Sequence, residues 1–304
     1  MAAEPILIDL DQPKRGYRRF ISAWLHRLGD RTAVVDPGPT STIDHLCGEL
    51  ARLGVTRLDW ILLTHIHLDH GGGAGTLARR FPEARVVCLP AAAKHLVDPT
   101  RLWEGSLQVL GDNAPLFGRP EPVPADRIDD PAVLEPLGVR TLPTPGHAAH
   151  HVCFLHGDLI FAGEAAGMTC PTSDGGFCLR PATPPRFLRD VAVDSLDRLL
   201  ALDPAPRRAA FGHYGLHAEP ALLFRAARGQ LHLWTEILAE LTAPGARRVD
   251  DALRPRLLET LQARDPWFAP FARLDDDLRA RELEFLANTW RGMSGWLEDR
   301  DAEG

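Results

Sequence analysis

The stretch Thr64–Gly73 reads THIHLDHGGG and sets three histidines and an aspartate within six positions, followed at once by three glycines. Imidazole and carboxylate groups are common ligands of divalent transition metals. His65 and His67 are two residues apart, so an extended backbone points both rings to one side. Asp69 and His70 follow on a turn and can face a second point, so one short loop can serve two metal positions. Taken alone, the same run also fits a solvated polar turn.

Position elsewhere in the chain favours the first reading. TPGH puts His147 just past an apolar stretch, FAGEAAG puts Glu164 past another, and FGHYG puts His213 past a third. Each lies beside glycine, which lets a backbone turn tightly at a strand end. Sites in α/β sheets gather at such ends. Five histidines and two carboxylates at four strand ends are hard to explain by packing alone.

Periodicity indicates the elements that must position them. RFISAWLHRL (19–28) and TAVVDPGP (32–39) read as strands joined in a hairpin across Gly29-Asp30. Ser41 or Thr42 is placed to cap a helix that carries Ile43, Leu46, Leu50 and Leu53 at helical spacing and stops at Gly54. LDWILLTH is a nearly continuous apolar strand of the kind buried on both faces. The histidine loop emerges from its C-terminal end, followed by a helix through Phe81 and the strand ARVVCLP. This β-α-β-α-β order makes the first half α/β. Residues 91–131 are partly helical, then Pro-rich, and read as an insertion over the sheet. Strands resume at GVRTLPTPGH, HHVCFLHG and DLIFAGEAAG, the last two as a hairpin about His156-Gly157-Asp158. A helix over about 185–202 and a last strand in RRAAFGHYG complete this part. From about Glu219 the pattern is helical, with a third helix over about 275–290. The expected domains are 1–218, containing the insertion, and a helical extension, 219–304. The extension carries 12 Arg against 16 acidic residues. Trp267, Phe268 and Phe271 are expected to be exposed there, on a lid over the metal cleft or on a dimer interface.

The HxHxDH pattern at His65, His67, Asp69 and His70, followed in order by His147, Glu164 and His213, resembles the metallo-β-lactamase superfamily over roughly residues 18–217. That superfamily includes glyoxalase-type thioesterases, lactonases and phosphodiesterases. The resemblance implies an α/β protein with a four-layered αββα sandwich and a dinuclear metal site at one edge, here with an all-helical C-terminal appendage. It assigns His65, His67 and His147 to one ion and Asp69, His70 and His213 to the other. Glu164 stands where the family usually has a bridging Asp. Its extra methylene adds about 1.5 Å of reach and leaves open whether it bridges. Two divalent ions are implied, with Zn preferred and Fe or Mn admitted by the carboxylate change.

The implied activity is hydrolysis of an ester-like bond (thioester, lactone or phosphodiester) by a hydroxide shared between the ions. Asp69 would ligate and orient it, and no G-x-S-x-G elbow argues for a protein nucleophile. Asp36, in VVDPG, is expected to accept hydrogen bonds from the metal loop. His151, Tyr214, His217 and Trp103 are candidates to line the site, whereas His150 reads as the start of a strand. Two other readings stand beside hydrolysis: a di-iron oxidoreductase, motivated by Glu164, and a non-catalytic metal-binding regulatory protein.

The bulk numbers narrow the partners. The chain has 304 residues, 45% hydrophobic and 25% charged, as in ordinary globular proteins. A net charge of −7 with no basic block makes nucleic acid a poor partner. No obvious cluster of basic residues suits the carboxylates of glutathione. A small-molecule substrate is expected, and a homodimer is left open. The five cysteines show no paired spacing and read as reduced, packed thiols. No apolar run is long enough for a bilayer and no signal peptide is visible, which gives a cytoplasmic expectation and disfavours a true β-lactamase.

Overall fold

In a computed structural model describing residues 3–303, the first sheet takes its strands in chain order. These are β1 (Ile6–Asp9), β2 (Ser22–Leu28), β3 (Arg31–Val35), β4 (Trp60–Leu62), β5 (Arg85–Val87) and β6 (Ile128–Asp129). Strands β1 to β3 are antiparallel, and β3 to β6 are parallel. The β2–β3 hairpin sets Leu28 opposite Arg31 and turns through Gly29 at φ +65°. Strand β4 lies between β3 and β5, which is why its sequence is apolar on successive residues. Helix α1 (Ile43–Arg52) crosses from β3 to β4, and α2 (Leu68–Gly71) with α3 (Ala74–Arg80) crosses from β4 to β5. Helices α4 (Pro90–Val97), α5 (Thr100–Leu110) and α6 (Ala114–Phe117) lie between β5 and β6.

The remaining strands are β7 (Val139–Pro143), β8 (Val152–His156), β9 (Leu159–Gly163), β10 (Met168–Pro171), β11 (Phe177–Arg180), β12 (Arg208–Phe211) and β13 (Leu216–Ala218). They make a second sheet in the order β13-β12-β9-β8-β7 and a separate β10–β11 hairpin. The chain divides into two compact units. One comprises residues up to Pro143 with His150–Gly163 and Pro206–Ala218, and the other comprises Thr144–Ala149, Glu164–Ala205 and the chain from Glu219 onward.

The first unit holds both sheets. Trp24, Val35, Leu62 and Val87 of the first sheet share one buried cluster with Val152, Phe154, Phe161 and Ala210 of the second. The Trp24 indole N–H also donates to the Phe211 carbonyl at 2.9 Å. Two sequence expectations need correction here. Neither Ser41 nor Thr42 caps α1 through its side chain; a 3-10 turn over Thr40–Thr42 leads into the helix, and the Thr42 hydroxyl donates back to Pro39 O at 3.1 Å. The 91–131 segment is not wholly an insertion, because Ile128–Asp129 pairs in parallel with Val86–Val87 as the sixth strand. Two residues are too few to show a strand period.

A histidine pair also lies in this unit, with Nε2 of buried His26 on β2 2.9 Å from Nδ1 of half-buried His156 on β8. Burial, with the His156 and Arg208 charges adding, lowers His26 from 6.5 to about 4. Phe161 packs on the same ring, and burial lowers His156 as well, against the opposing charge of Asp158, which ion-pairs with Arg208. A histidine depressed in the fold contributes full stability above its unfolded pKa and loses it as pH falls toward the folded value. The expected result is a melting temperature that declines between about pH 6.5 and 4, with a shallower decline in His26→Gln. Thermal melts across that range check it.

The second unit contains the β10–β11 hairpin, α7 (Arg189–Leu200), α8 (Pro220–Leu241), α9 (Leu253–Arg264) and α10 (Asp276–Glu303). Helix α7 begins later than its sequence suggests, and α10 runs further. Phe268 and Phe271 are not exposed: they are 0% and 1% accessible, and Trp267 is half-buried. Phe268 packs on Trp234 with ring centroids 4.9 Å apart. Asp265 makes this possible, since its carboxylate accepts from Trp234 Nε1 at 2.7 Å and from Gln230 Nε2 at 2.8 Å. A buried carboxylate tied this way folds the following aromatics inward, as a fully bonded polar group must be. Cys170 and Cys178 face each other across β10–β11 as buried free thiols. Among the described residues, no helix is long and apolar enough to cross a membrane.

Candidate metal centre

The site begins where β3 and β4 end side by side. Asp36, one residue past β3, has φ +52°, a conformation most non-glycine residues avoid. Its two carboxylate oxygens accept from Thr64 N–H at 2.8 Å and Thr64 Oγ1 at 2.7 Å. Thr64 Oγ1 in turn lies 3.1 Å from His65 Nδ1. With the Thr64 hydroxyl proton committed to Asp36, that Nδ1 is the donor, so His65 keeps its Nε2 lone pair for a ligand. Asp36 Oδ2 also lies 3.8 Å from His70 Nδ1. One buried carboxylate thus ties down the start of the loop and faces its far end across 3.8 Å. Glycines let the loop close: a Cβ on Gly71 would lie 2.9 Å from Ile66 Cα.

Asp69 and His70 sit on α2, and His213 follows β12. His70 Nε2 and His213 Nε2 are 3.0 Å apart, His213 Nε2 lies 3.3 Å from Asp69 Oδ2, and His70 Nε2 lies 3.7 Å from it. Ligands about 2.0–2.1 Å from a tetrahedral ion lie about 3.3 Å from one another. The three atoms therefore fit the face of a metal coordination sphere. His213 Nδ1 donates to Phe20 O at 2.9 Å, which fixes the tautomer and presents Nε2. Gly212 is required beside it, because a Cβ there would lie 2.7 Å from His70 Cε1. The His65 ring lies 4.7 Å from that of His67 and 4.5 Å from that of His70, centroid to centroid.

In the second unit, His147 Nε2 lies 2.9 Å from Glu164 Oε2. His147 Nδ1 donates to Ala182 O at 3.0 Å, so this histidine too presents Nε2. Beside the pair is a small cleft lined by apolar side chains of the same unit, among them Phe187, Leu196 and Leu231.

The other candidates fall in different places. His151 is fully buried just before β8, with its ring 5.2 Å from that of His65. Tyr214 donates its hydroxyl to Asp9 Oδ2 at 3.0 Å, and burial, with the Asp9 charge adding, pushes it up to about 12. His217 packs on Phe211 and bonds Tyr214 O at 3.2 Å, and burial lowers its pKa. Trp103 is half-buried on α5, a helix that buries none of its residues. Sequence reading passes over three contributors. Thr64 relays Asp36 to His65, and the Phe20 carbonyl orients His213. His150, which precedes β8 rather than starting it, accepts from Ile66 N–H at 3.3 Å. Only Thr64 has a visible signal, since it opens the motif itself.

Mixed sheets with histidine and aspartate donors converging at strand ends define a metallo-hydrolase fold. The sequence model of the metallo-beta-lactamase superfamily matches residues 16–213, and the chain belongs to that superfamily. A metallo-beta-lactamase fold-containing protein, ST1585 of Sulfurisphaera tokodaii, is 30% identical over 61% of this chain and 69% of its own. A hydroxyacylglutathione hydrolase of Acidiphilium cryptum is 34% identical over 68% of this chain and 74% of its own. Among solved structures, metallo-beta-lactamase family protein TTHA1429 from Thermus thermophilus superposes with a TM-score of 0.62 at 22% identity, covering 99% of this chain and 94% of that one. The fold is thus the αββα sandwich expected from the sequence, carrying the helical segment α8–α10.

Proposed function

We propose that the chain is a hydrolase of ester-like bonds that works with two divalent ions, with thioesters its first candidates. The observation that carries this reading is the convergence of Asp69 Oδ2, His70 Nε2 and His213 Nε2 at 3.0–3.7 Å, with the far nitrogen of His213 tied to backbone. These three residues would hold one ion, and His65, His67 and His147 the other, as the order of motifs in the superfamily suggests. Glu164 takes the place of the usual aspartate. Bound divalent ions supply Lewis acidity and lower the pKa of a coordinated water toward neutrality.

The chain's own residues do the rest. Asp69, half-buried, accepts a proton-bearing edge of the attacking water and aims it. Asp36 and Thr64 hold His65 in one tautomer, and Phe20 and Ala182 do so for His213 and His147. Such fixed donors cost no reorganisation during reaction. The hydroxyacylglutathione hydrolase relative supports a thioester.

The test is elemental analysis of the purified protein followed by a panel of thioesters, lactones and phosphodiesters. Nearly two zinc per chain with turnover of one class supports the proposal. Two iron per chain, with an absorption band responsive to reductant and oxygen, would replace it with the oxidoreductase. A metal-replete protein silent on the whole panel would leave the regulatory reading.

A further inference from the structure

The segment between β1 and β2 reads DQPKRGYRRF, with Lys14, Arg15, Arg18 and Arg19 in six positions of a chain whose net charge is −7. Only Gly16 and Tyr17 interrupt these cations along the chain, and the fold closes the run on itself. Leu10 N–H donates to Ile21 O, Gln12 N–H to Tyr17 O and Tyr17 N–H to Lys14 O, each at 3.0 Å, so the segment is a closed arm and not a loose loop. The arm ends on Phe20, whose ring lies 4.5 Å from the His213 ring and whose carbonyl accepts from His213 Nδ1. Arg19 and Arg18 are therefore one and two residues from a side chain in contact with a proposed metal ligand. Successive Cα atoms are about 3.8 Å apart, so the backbones of Arg19 and Arg18 lie within about 8 Å of Phe20 along the chain.

The arm is also built stiffly. Arg19 takes φ +48° and its N–H donates to Asp11 Oδ1 at 3.0 Å. Its guanidinium lies 5.9 Å from the centre of the Tyr214 ring. Lys14 is fixed to Asn113 Oδ1 at 2.8 Å, and the Tyr17 ring lies 6.4 Å from that of Phe117 on α6. Arg15 is exposed. Gln12 is 8% accessible, and among the described residues neither its Nε2 nor its Oε1 has a hydrogen-bond partner. A buried amide in that state is set to bond something polar.

We propose that this arm is an anion subsite: Arg15 and Arg18, backed by Arg19 and Gln12, hold the carboxylate or phosphate groups of the thiol or alcohol half of the substrate. Planar guanidinium forks suit both anions, and a positive arm on an otherwise negative protein steers anionic substrates to this end of the site. The role in substrate choice rests on the hydrolase reading. The subsite itself does not, because it binds a product-like thiol without turnover.

The experiment is calorimetric titration of the metal-loaded full chain with glutathione, which carries carboxylates only, and with coenzyme A, which carries phosphates. It is run at about 50 and 200 mM salt, where screening differs. Wild type is compared with Arg15→Gln/Arg18→Gln and with the control Arg291→Gln, exposed on α10. The expected result is binding of one thiol that weakens with salt, falls by on the order of tenfold in the double variant and is unchanged in the control. Glutathione as the bound thiol identifies a carboxylate subsite, and coenzyme A a phosphate subsite. Equal binding by wild type and the double variant, or binding of neither thiol by wild type, overturns the proposal. Salt-dependent binding with no ester hydrolysed would keep the subsite and overturn the hydrolase reading instead.

Discussion

On the proposed two-ion reading, replacing Asp69 with Asn is expected to lower kcat by about a hundred- to a thousandfold and to reduce bound metal from two ions per chain toward one. The substitution keeps the side-chain volume and removes the charge. Asp69 is the only anion in its group of three donors, and its Oδ2 lies 3.3 Å from His213 Nε2. Without it two neutral imidazoles must hold a divalent ion alone, and the attacking water loses the acceptor that aims it. Both losses act on the reacting centre rather than on the remainder of the substrate, so kcat falls more than KM rises. Metal analysis with steady-state kinetics on the same preparation checks this. An unchanged metal content with a lowered kcat would confine Asp69 to orienting the water, and no change in either would remove it from the centre.

The sequence showed the donors and the strands behind them because both depend on local pattern. LDWILLTH is apolar at consecutive positions since β4 lies between two parallel neighbours. Each candidate ligand follows a strand end because that is where a sheet can present side chains. What it hid depends on tertiary partners. Phe20 orients His213 through a carbonyl, an atom every residue carries, so nothing in its identity marks the role. His150 acts by accepting from Ile66 N–H 84 residues away. Phe268 and Phe271 look like an exposed apolar patch in the sequence. They are buried because Asp265, a charged residue that pattern places outside, is itself 1% accessible and bonded to Trp234 and Gln230. The cations from Lys14 to Arg19 are neighbours in the sequence, but the three backbone hydrogen bonds that close them into an arm depend on no residue's identity.

A comparable dependence on partners governs the second unit, where Glu282→Ala is expected to cost about 3–5 kcal/mol. Glu282 is 2% accessible and lies between two arginines. Arg180 Nε donates to its Oε2 at 2.5 Å and Arg281 Nη2 to its Oε1 at 2.7 Å. Arg281 also reaches Cys170 Sγ at 3.0 Å, and Arg180 reaches Pro181 O at 3.1 Å. Burial works to raise the Glu282 pKa, but the Arg180 and Arg281 charges and hydrogen bonds outweigh it and hold the carboxyl at about 2. A carboxylate depressed in the fold contributes stability above its unfolded pKa, about 4.3, and loses it as pH falls toward about 2. Glu282→Ala removes that acid-range loss together with the anion, and leaves two buried guanidinium groups without their counter-charge. Urea denaturation followed by tryptophan fluorescence reports on this unit together with the first, since four of the seven tryptophans, Trp234, Trp267, Trp290 and Trp296, belong to it. The decisive comparison is Arg180→Met/Arg281→Met/Glu282→Leu. If the cost of Glu282→Ala is that of stranded buried charge, the triple variant regains most of the lost stability, because no charge is left to desolvate. If the triple variant is as unstable as the single one, the ion cluster is needed for the packing of α10 against the β10–β11 hairpin in its own right.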